Sequence, residues 1–444
     1  MQITGKKKWV ILILTAMLGG IMVYLPFLRY SYYDQMVILF TQYRHVAEPE
    51  RVNSFIGTFA LWEGIAITWP FLVGGVVVDR FGEKWPLIIG CIVMGLCAIW
   101  LGTVPNAGCI ILIHVLYGFA TTFAVWSAYI TITRKMGKKS EQGRMFSISE
   151  FVRNAIIGTA LGFLGVALLN TAVMPSGETD PQILGAAWKT MHFIDGGLMI
   201  LISIVVAFIL PKDIKAAEDT EAEAEGKLVP KQEKASLANV IKVAKLPGVW
   251  LLTLLIFFCY SFTAAANGYM GAYTSNVLGV SSTTASTFAI IRNYIISGLS
   301  VLAIGFIADK IGSKIKTLEI YLSLATILTA VVLLTKNAGM LAMVVTLVFA
   351  AVYSGMRSLY FASLSDVGIP VALTSVATAI ISTLCYLPDV YFAKLAGGWL
   401  DTMGNKGYDM IWYWCIGCGI LGVITAKITQ KYIDKLNAKE KLAE

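Results

Sequence analysis

The chain reads as an all-α integral membrane protein of 12 transmembrane helices in two pseudo-symmetric six-helix bundles. Three observations carry that reading. Of its 444 residues, 57% are apolar and only 14% are charged, against about 25% charged in ordinary soluble domains. The apolar residues gather into runs near the ~20 residues an α-helix needs to cross about 30 Å of hydrocarbon. A ten-residue signature recurs at an offset of 230 positions, six runs apart. These features exclude a soluble globule, a disordered chain and a nucleic-acid binder, although the formal charge is +8.

Spans are expected near residues 9–33, 54–78, 86–104, 107–133, 146–169 and 191–210, then near 248–275, 284–308, 317–335, 338–361, 371–397 and 409–430. The stretch 211–247 carries Glu218, Asp219, Glu221, Glu223, Glu225 and several lysines, too many charges to enter lipid. It separates an N-terminal bundle, 1–210, from a C-terminal bundle and tail, 248–444. Within this cytoplasmic linker, 235–245 reads as an amphipathic surface helix. Lys6, Lys7 and Lys8 precede an apolar run too long for a signal-peptide core and lacking an A-x-A site, so no cleavable leader is expected. The seven cysteines fall in or beside apolar runs, and Cys415 and Cys418, though spaced as CxxC, read as packing residues.

Lysine and arginine next to a span stay on the cytoplasmic side. With both termini inside, cytoplasmic segments hold 25 of the 35 basic residues and outer loops hold six. The expectation is a multi-pass protein of the cell (inner) membrane.

The signature reads Gly75-Val-Val-Val-Asp79-Arg80-Phe-Gly82-Glu83-Lys84 after the second run and Gly305-Phe-Ile-Ala-Asp309-Lys310-Ile-Gly312-Ser313-Lys314 after the eighth. Gly75 and Gly305 suit close helix approach in lipid. Gly82 and Gly312 permit a tight turn. Asp79 and Asp309 suit pairing with helix N-termini or basic groups, and Arg80, Lys84, Lys310 and Lys314 hold the loops inside. The loops read either as a topological staple or also as a gate.

In these features the sequence resembles the major facilitator superfamily, along its whole length. The resemblance implies two bundles rocking about a central cavity open to one side at a time, with Asp79 and its partners helping to hold the outward-facing state. Glu83 departs from the family pattern, which has a basic residue there. His114-x-x-x-Gly118 stands where many proton-coupled members have arginine, and the proline signature of drug:proton antiporters is missing from 151–170. More narrowly, Tyr24-Leu-Pro-Phe-Leu-Arg29-Tyr-Ser-Tyr-Tyr-Asp34, Glu141-Gln-Gly-Arg144 with Glu150 and Arg153, Ile290-Ile-Arg292-Asn-Tyr294 and Tyr386-Leu-Pro-Asp389 look like the bacterial YihN-like branch, near the oxalate:formate and organophosphate:phosphate antiporters. Arg29 stands where organophosphate carriers have a substrate-binding arginine; their second one has no match in Ala264-Ala-Ala-Asn267-Gly-Tyr269.

An ionisable group inside a span costs ~2.5–3.5 kcal/mol on insertion scales, so it pairs or lines a wet cavity. Ten such residues divide evenly by sign. Glu150 and Arg153 share a helix face and read as a structural pair, with Arg153 also in reach of a ligand. Arg357 reads as snorkelling, Asp195 as a rim residue, Asp34 as lying outside the membrane and His114 as a packing histidine. That leaves Arg29, Arg292 and Lys394, with Arg153, Trp62 and Tyr294, as candidate substrate-binding residues, and Glu63 and Asp389 as candidate proton carriers. Guanidinium forks suit carboxylate, phosphate or sulfonate. Trp62, Tyr260, Tyr269, Tyr294 and Tyr386 are candidate cavity walls.

His45, His114 and His192 lack metal-ligand company and no nucleotide-binding loop is present, so neither an enzyme nor a cofactor is expected. The expected partners are a small organic anion, protons and the lipid bilayer, with the chain acting as a monomer. The leading expectation is a secondary active transporter for that anion, as antiporter or proton symporter. A transporter-like receptor and a carrier of neutral or cationic solutes are the alternatives.

Overall fold

A computed structural model describes residues 3–72, 74–137, 141–212, 214–215, 217, 237–338, 340–364, 366–370 and 373–443. Among these, eleven helices are long and apolar enough to cross a membrane: Gly5–Tyr24, Lys84–Gly102, Ala107–Lys135, Arg144–Asn170, Pro181–Ile209, Pro247–Asn276, Ser282–Ile311, Lys314–Leu334, Leu341–Leu359, Val376–Met403 and Lys406–Ala438. The second expected span is present but jointed. Val52–Thr68 passes through a tight turn, Trp69–Leu72, into Gly74–Phe81. Pro70 lies in that turn, where its missing N–H interrupts the helical bonding. Large apolar side chains such as Phe208 (86% exposed), Leu334 (84%) and Phe306 (77%) stand bare, as lipid-facing positions do.

The sixth span begins at Pro181, ten residues before its expected start near 191. Asp180 caps it by accepting from the backbone N–H groups of Gln182 and Ile183. Lys189, one of the six basic residues assigned to outer loops, lies within this helix. The expected surface helix appears as Leu237–Ala244, and Trp250 Nε1 donates to the Ala244 carbonyl at 2.8 Å. The acidic residues 218–225 lie outside the described residues.

The two signature loops turn alike. Gly82 and Gly312 both adopt φ +75°, and each donates its N–H to the carbonyl four residues earlier, Val78 and Ala308, at 2.9 Å. A Cβ would strain this left-handed turn, which is why glycine recurs. Gly305 corrects the sequence reading: no atom lies within 4 Å of where its Cβ would stand, so it brings no helix close. The surroundings of Gly75 and the side chain of Asp79 lie outside the described residues. Arg80, Asp309 and Lys310 are exposed, with Arg80 over the Phe81 ring and Lys84 over the Trp85 ring. Lys314 pairs with Asp366 at 3.0 Å. Glu83 is buried and forms an ion pair with Lys135 at the end of the fourth span.

The two bundles meet on the side opposite these loops. The second and eleventh spans run backbone to backbone: Cβ atoms on Gly57, Gly64 and Gly397 would stand 2.5, 2.3 and 2.3 Å from the carbonyl oxygens of Ala393, Asp389 and Asn53. Asp401, at the far end of the eleventh span, accepts from Asn53 N (3.1 Å), Asn53 Nδ2 (2.9 Å) and Ser54 N (2.7 Å). It thus caps the N-terminus of a helix in the other bundle. Lys394 Nζ donates to the Ser54 carbonyl (3.0 Å) and Thr58 Oγ1 (2.7 Å). Asp34 accepts from Ser275 and Asn276, and Thr283 donates to Asn170. Replacing Asp401 by alanine is expected to weaken this closure by about 1–2 kcal/mol, for charge-assisted bonds in a half-exposed setting. Spin-label distances between the exposed positions 51 and 403 would broaden outward in the variant; an unchanged distribution would deny Asp401 a sealing role.

Candidate functional site

The site is built where two spans break. The first span's Gly5–Tyr24 helix gives way around Pro26 to a short 3₁₀ turn, Leu28–Tyr30, before helix resumes at Tyr33–Ile38. Arg29 sits on that turn, almost fully buried. Its Nη1 donates to the freed Pro26 carbonyl at 3.0 Å and to Glu63 Oε2 at 3.1 Å. The Phe27 and Tyr30 rings lie 5.1 and 4.9 Å from its guanidinium carbon, so the cation is wrapped on two sides. In the eleventh span Thr374–Cys385 stops and Pro388–Met403 begins. Asp389, in the first turn after that break, accepts from Tyr260 Oη at 2.6 Å.

Gly64 lets the second span press against the Asp389 backbone, which brings Glu63, Arg29 and Asp389 into one electrostatic group. Beside Arg29 and Asp389 lies a chamber of about 20 Å³ lined by these two and by Tyr30, Tyr33, Tyr269 and Phe392, among others. That is room for roughly one water molecule. The closed seam therefore leaves a polar pocket too small for a metabolite in this state.

Arg292 stands behind this wall. It is 1% exposed; its guanidinium interacts with Tyr353, and among the described residues its Nε and Nη2 have no hydrogen-bond partner. Gly271 separates it from the first span: a Cβ there would lie 3.8 Å from Arg292 Nη2 and 3.2 Å from the Tyr30 carbonyl. Arg292 belongs to a wide π turn, Ile291–Ile296. Arg153 lies on a corresponding one, Phe151–Gly158. Such turns re-aim side chains and recur at functional positions. Arg153 pairs with Glu150 and sits over the Trp126 ring. Tyr294 packs into the gap left by Gly158, 2.3 Å from where its Cβ would be, and lies 6.4 Å from the Tyr24 ring.

The structure thus joins Arg29, Glu63 and Asp389 and sets Arg292 behind Gly271, whereas Arg153 and Tyr294 make their contacts with Glu150, Trp126, Gly158 and Tyr24 rather than with this group. Lys394 lies on the seam instead, bonded across it. Trp62 is 46% exposed and does not line the chamber. Arg357 is exposed and interacts electrostatically with Tyr386, Tyr260 and Glu150, so it addresses the polar interior rather than merely reaching for a membrane surface. His114 packs as expected: it is stacked 4.0 Å from Phe59, with Nδ1 2.9 Å from the Ile110 carbonyl. Asp195 is no rim residue; it is completely buried. Sequence reasoning missed Tyr30 and Tyr33, although their cluster just past Pro26 was a usable signal. It also missed Asp401, which nothing in one sequence distinguishes from a loop acid.

Comparison with known proteins agrees with this architecture. Inner membrane protein YqcE of Escherichia coli strain K12 is 24% identical over 432 residues, covering 96% of this chain and 94% of the relative. Inner membrane protein YihN of the same strain is 24% identical over 449 residues, covering 99% of both. Among solved structures, a D-xylose-proton symporter superposes with a TM-score of 0.70 at 14% identity, covering 96% of this chain and 98% of its own. A bacterial homologue of the human lysosomal transporter Spinster, inward-facing and unoccupied, gives 0.67 at 13%, covering 97% and 98%. The family model described as Major Facilitator Superfamily matches residues 13–393. The chain is a multi-pass membrane protein that belongs to the Major Facilitator Superfamily of transporters.

Proposed function

We propose that the protein is a secondary active transporter moving a small organic anion (a carboxylate, sugar acid, sulfonate or phosphate ester) across the cell membrane by alternating access, as antiporter or proton symporter. The bundles are 1–210 and 248–444, joined by the linker 211–247. The signature loops and both termini face the cytoplasm, which makes the state described inward-facing, with its outer side sealed.

The observation that carries this reading is Arg292. A guanidinium enclosed in a membrane bundle with no acid beside it among the described residues is costly, and its unpartnered Nε–Nη2 edge suits a bidentate oxyanion. Arg29 joins it once the seam opens and the chamber widens. Glu63 and Asp389 are the candidate proton carriers beside them. The test is uptake into proteoliposomes of labelled carboxylates, sugar acids, sulfonates and phosphate esters, with and without a pH gradient. Arg292→Ala should lower anion uptake about thirtyfold or more, from the 2–5 kcal/mol range for truncating one side of a buried charge pair. Unchanged kinetics would remove Arg292 from the site.

A carrier of neutral or cationic solutes is the second reading. It is favoured by the pairing of Arg29 with Glu63 and Arg153 with Glu150, which leaves both cations already neutralised. Uptake of an uncharged sugar with indifference to every anion would select it.

A further inference from the structure

Lys394 is a cation that its neighbours hold without neutralising. It is exposed, and its Nζ donates to the Ser54 carbonyl at 3.0 Å and to Thr58 Oγ1 at 2.7 Å. The Thr58 hydroxyl spends its own proton on the Ser54 carbonyl, also at 2.7 Å, so toward Lys394 it is an acceptor. Both partners are neutral. Every ion pair among the described residues uses another cation. Asp401, two turns further along the same span, spends its oxygens on the N–H groups of Asn53 and Ser54. An ammonium has three N–H donors, so one is left at Lys394 with a full positive charge behind it.

This ammonium faces lipid rather than the chamber. Asp389, Phe392 and Ala393 line the chamber, and at about 100° per residue Lys394 turns to the other flank of the helix. Leu395 beside it is exposed, and so is Trp62, one turn beyond Thr58 on the second span. Depth follows from helix length. From Val52 to Phe81 the second span runs about 45 Å at ~1.5 Å per residue, the thickness of a bilayer with both headgroup layers. Ser54 and Thr58 fall in its first two turns. Lys394 Nζ therefore stands where headgroups meet hydrocarbon, in the leaflet away from the signature loops.

A charge at that level is best neutralised by the lipid itself, since phospholipids carry a phosphate there. We propose that the seam between the second and eleventh spans is a phospholipid-binding site, in which the lipid phosphate takes the third Lys394 N–H and an acyl chain lies along Trp62 and Leu395. Ser54, Thr58 and Trp62 come from one bundle, Lys394 and Leu395 from the other. The site is complete only while the seam is closed, so bound lipid favours the closed arrangement over the open one. Cargo takes no part in it, and the site stands whichever solute is carried.

Native mass spectra of the full chain in detergent, titrated with phosphatidylglycerol, test the site directly. The wild type should hold its tightest phosphatidylglycerol about fivefold more strongly than Lys394→Gln, the effect of one lysine at an anionic lipid surface. Lys394→Arg should restore the binding. Diglucosyl diacylglycerol, which has the acyl chains and no phosphate, should bind wild type and Lys394→Gln alike. Equal phosphatidylglycerol affinities in wild type and Lys394→Gln would overturn the proposal. So would the same difference with the glycolipid, because the lysine would then act only through Ser54 and Thr58. In a second measurement, phosphatidylglycerol should narrow the spin-label distances between positions 51 and 403 in the wild type and leave those of Lys394→Gln unchanged. Narrowing by inorganic phosphate alone, or a dimer whose yield falls in Lys394→Gln whatever the lipid, would put a different occupant on the seam and overturn the lipid assignment.

Discussion

Gly397→Val is expected to stop the bundles from closing on the side away from the signature loops, and with that to abolish the transport cycle. The position where its Cβ would stand is 2.3 Å from the Asn53 carbonyl oxygen. The obstacle is backbone in the first turn of another helix, so no side-chain rotation relieves it. Overpacking costs about 1–3 kcal/mol where neighbours can give way. At the upper end, 3 kcal/mol moves the closed-to-open ratio roughly a hundredfold. The neighbouring glycine supplies the control: a Cβ on Gly398 has nothing within 4 Å, so Gly398→Val should behave as the wild type. Spin-label distances across the seam would read both outcomes. If Gly397→Val and Gly398→Val gave the same closed distribution, the glycine seam would not be what closes the molecule.

Arg29→Ala is expected to destabilise the protein by about 3–5 kcal/mol, because it leaves Glu63 as an uncompensated charge in a buried place. The pair itself need not be stabilising. Replacing both partners with apolar residues of similar volume, Arg29→Met with Glu63→Leu, is often neutral or even favourable by about 1–4 kcal/mol. Thermal unfolding in detergent should therefore show a large loss for the single variant and recovery for the double one. Uptake should follow another pattern, staying lost in the double variant if Arg29 meets the cargo. A double variant that is both stable and fully active would reduce the pair to a structural tie.

The span plan was legible because lipid imposes length and composition on each helix, and the paired signature loops fixed its duplication. Both loop glycines adopt the left-handed turn that their residue type suggested. Depth was less legible. With the sixth span starting near 191, Asp195 looked like a rim residue. With its start at Pro181, Asp195 falls near the middle of a 29-residue helix, about 21 Å in at ~1.5 Å per residue. Partner choice was the least legible. Nothing in the chain says that Arg29 meets Glu63, because that depends on how the first two spans are rotated about their axes. The π turns at Arg153 and Arg292 rotate side chains further and have no composition signal in a single sequence. Lys394 and Asp401 lie on one span and both hold the seam, a duty that only inter-bundle geometry reveals.

The proline breaks at Pro26, Pro70 and Pro388 have a mechanical corollary. Each divides a helix into two rods linked by an elbow, and two of the three elbows carry charged groups that surround the small chamber. The rods beyond an elbow are thereby free to tilt while those before it keep their seating. On this view the enclosure behaves like an iris, adjusting its aperture to the bulk of what enters without requiring either bundle to deform as a whole.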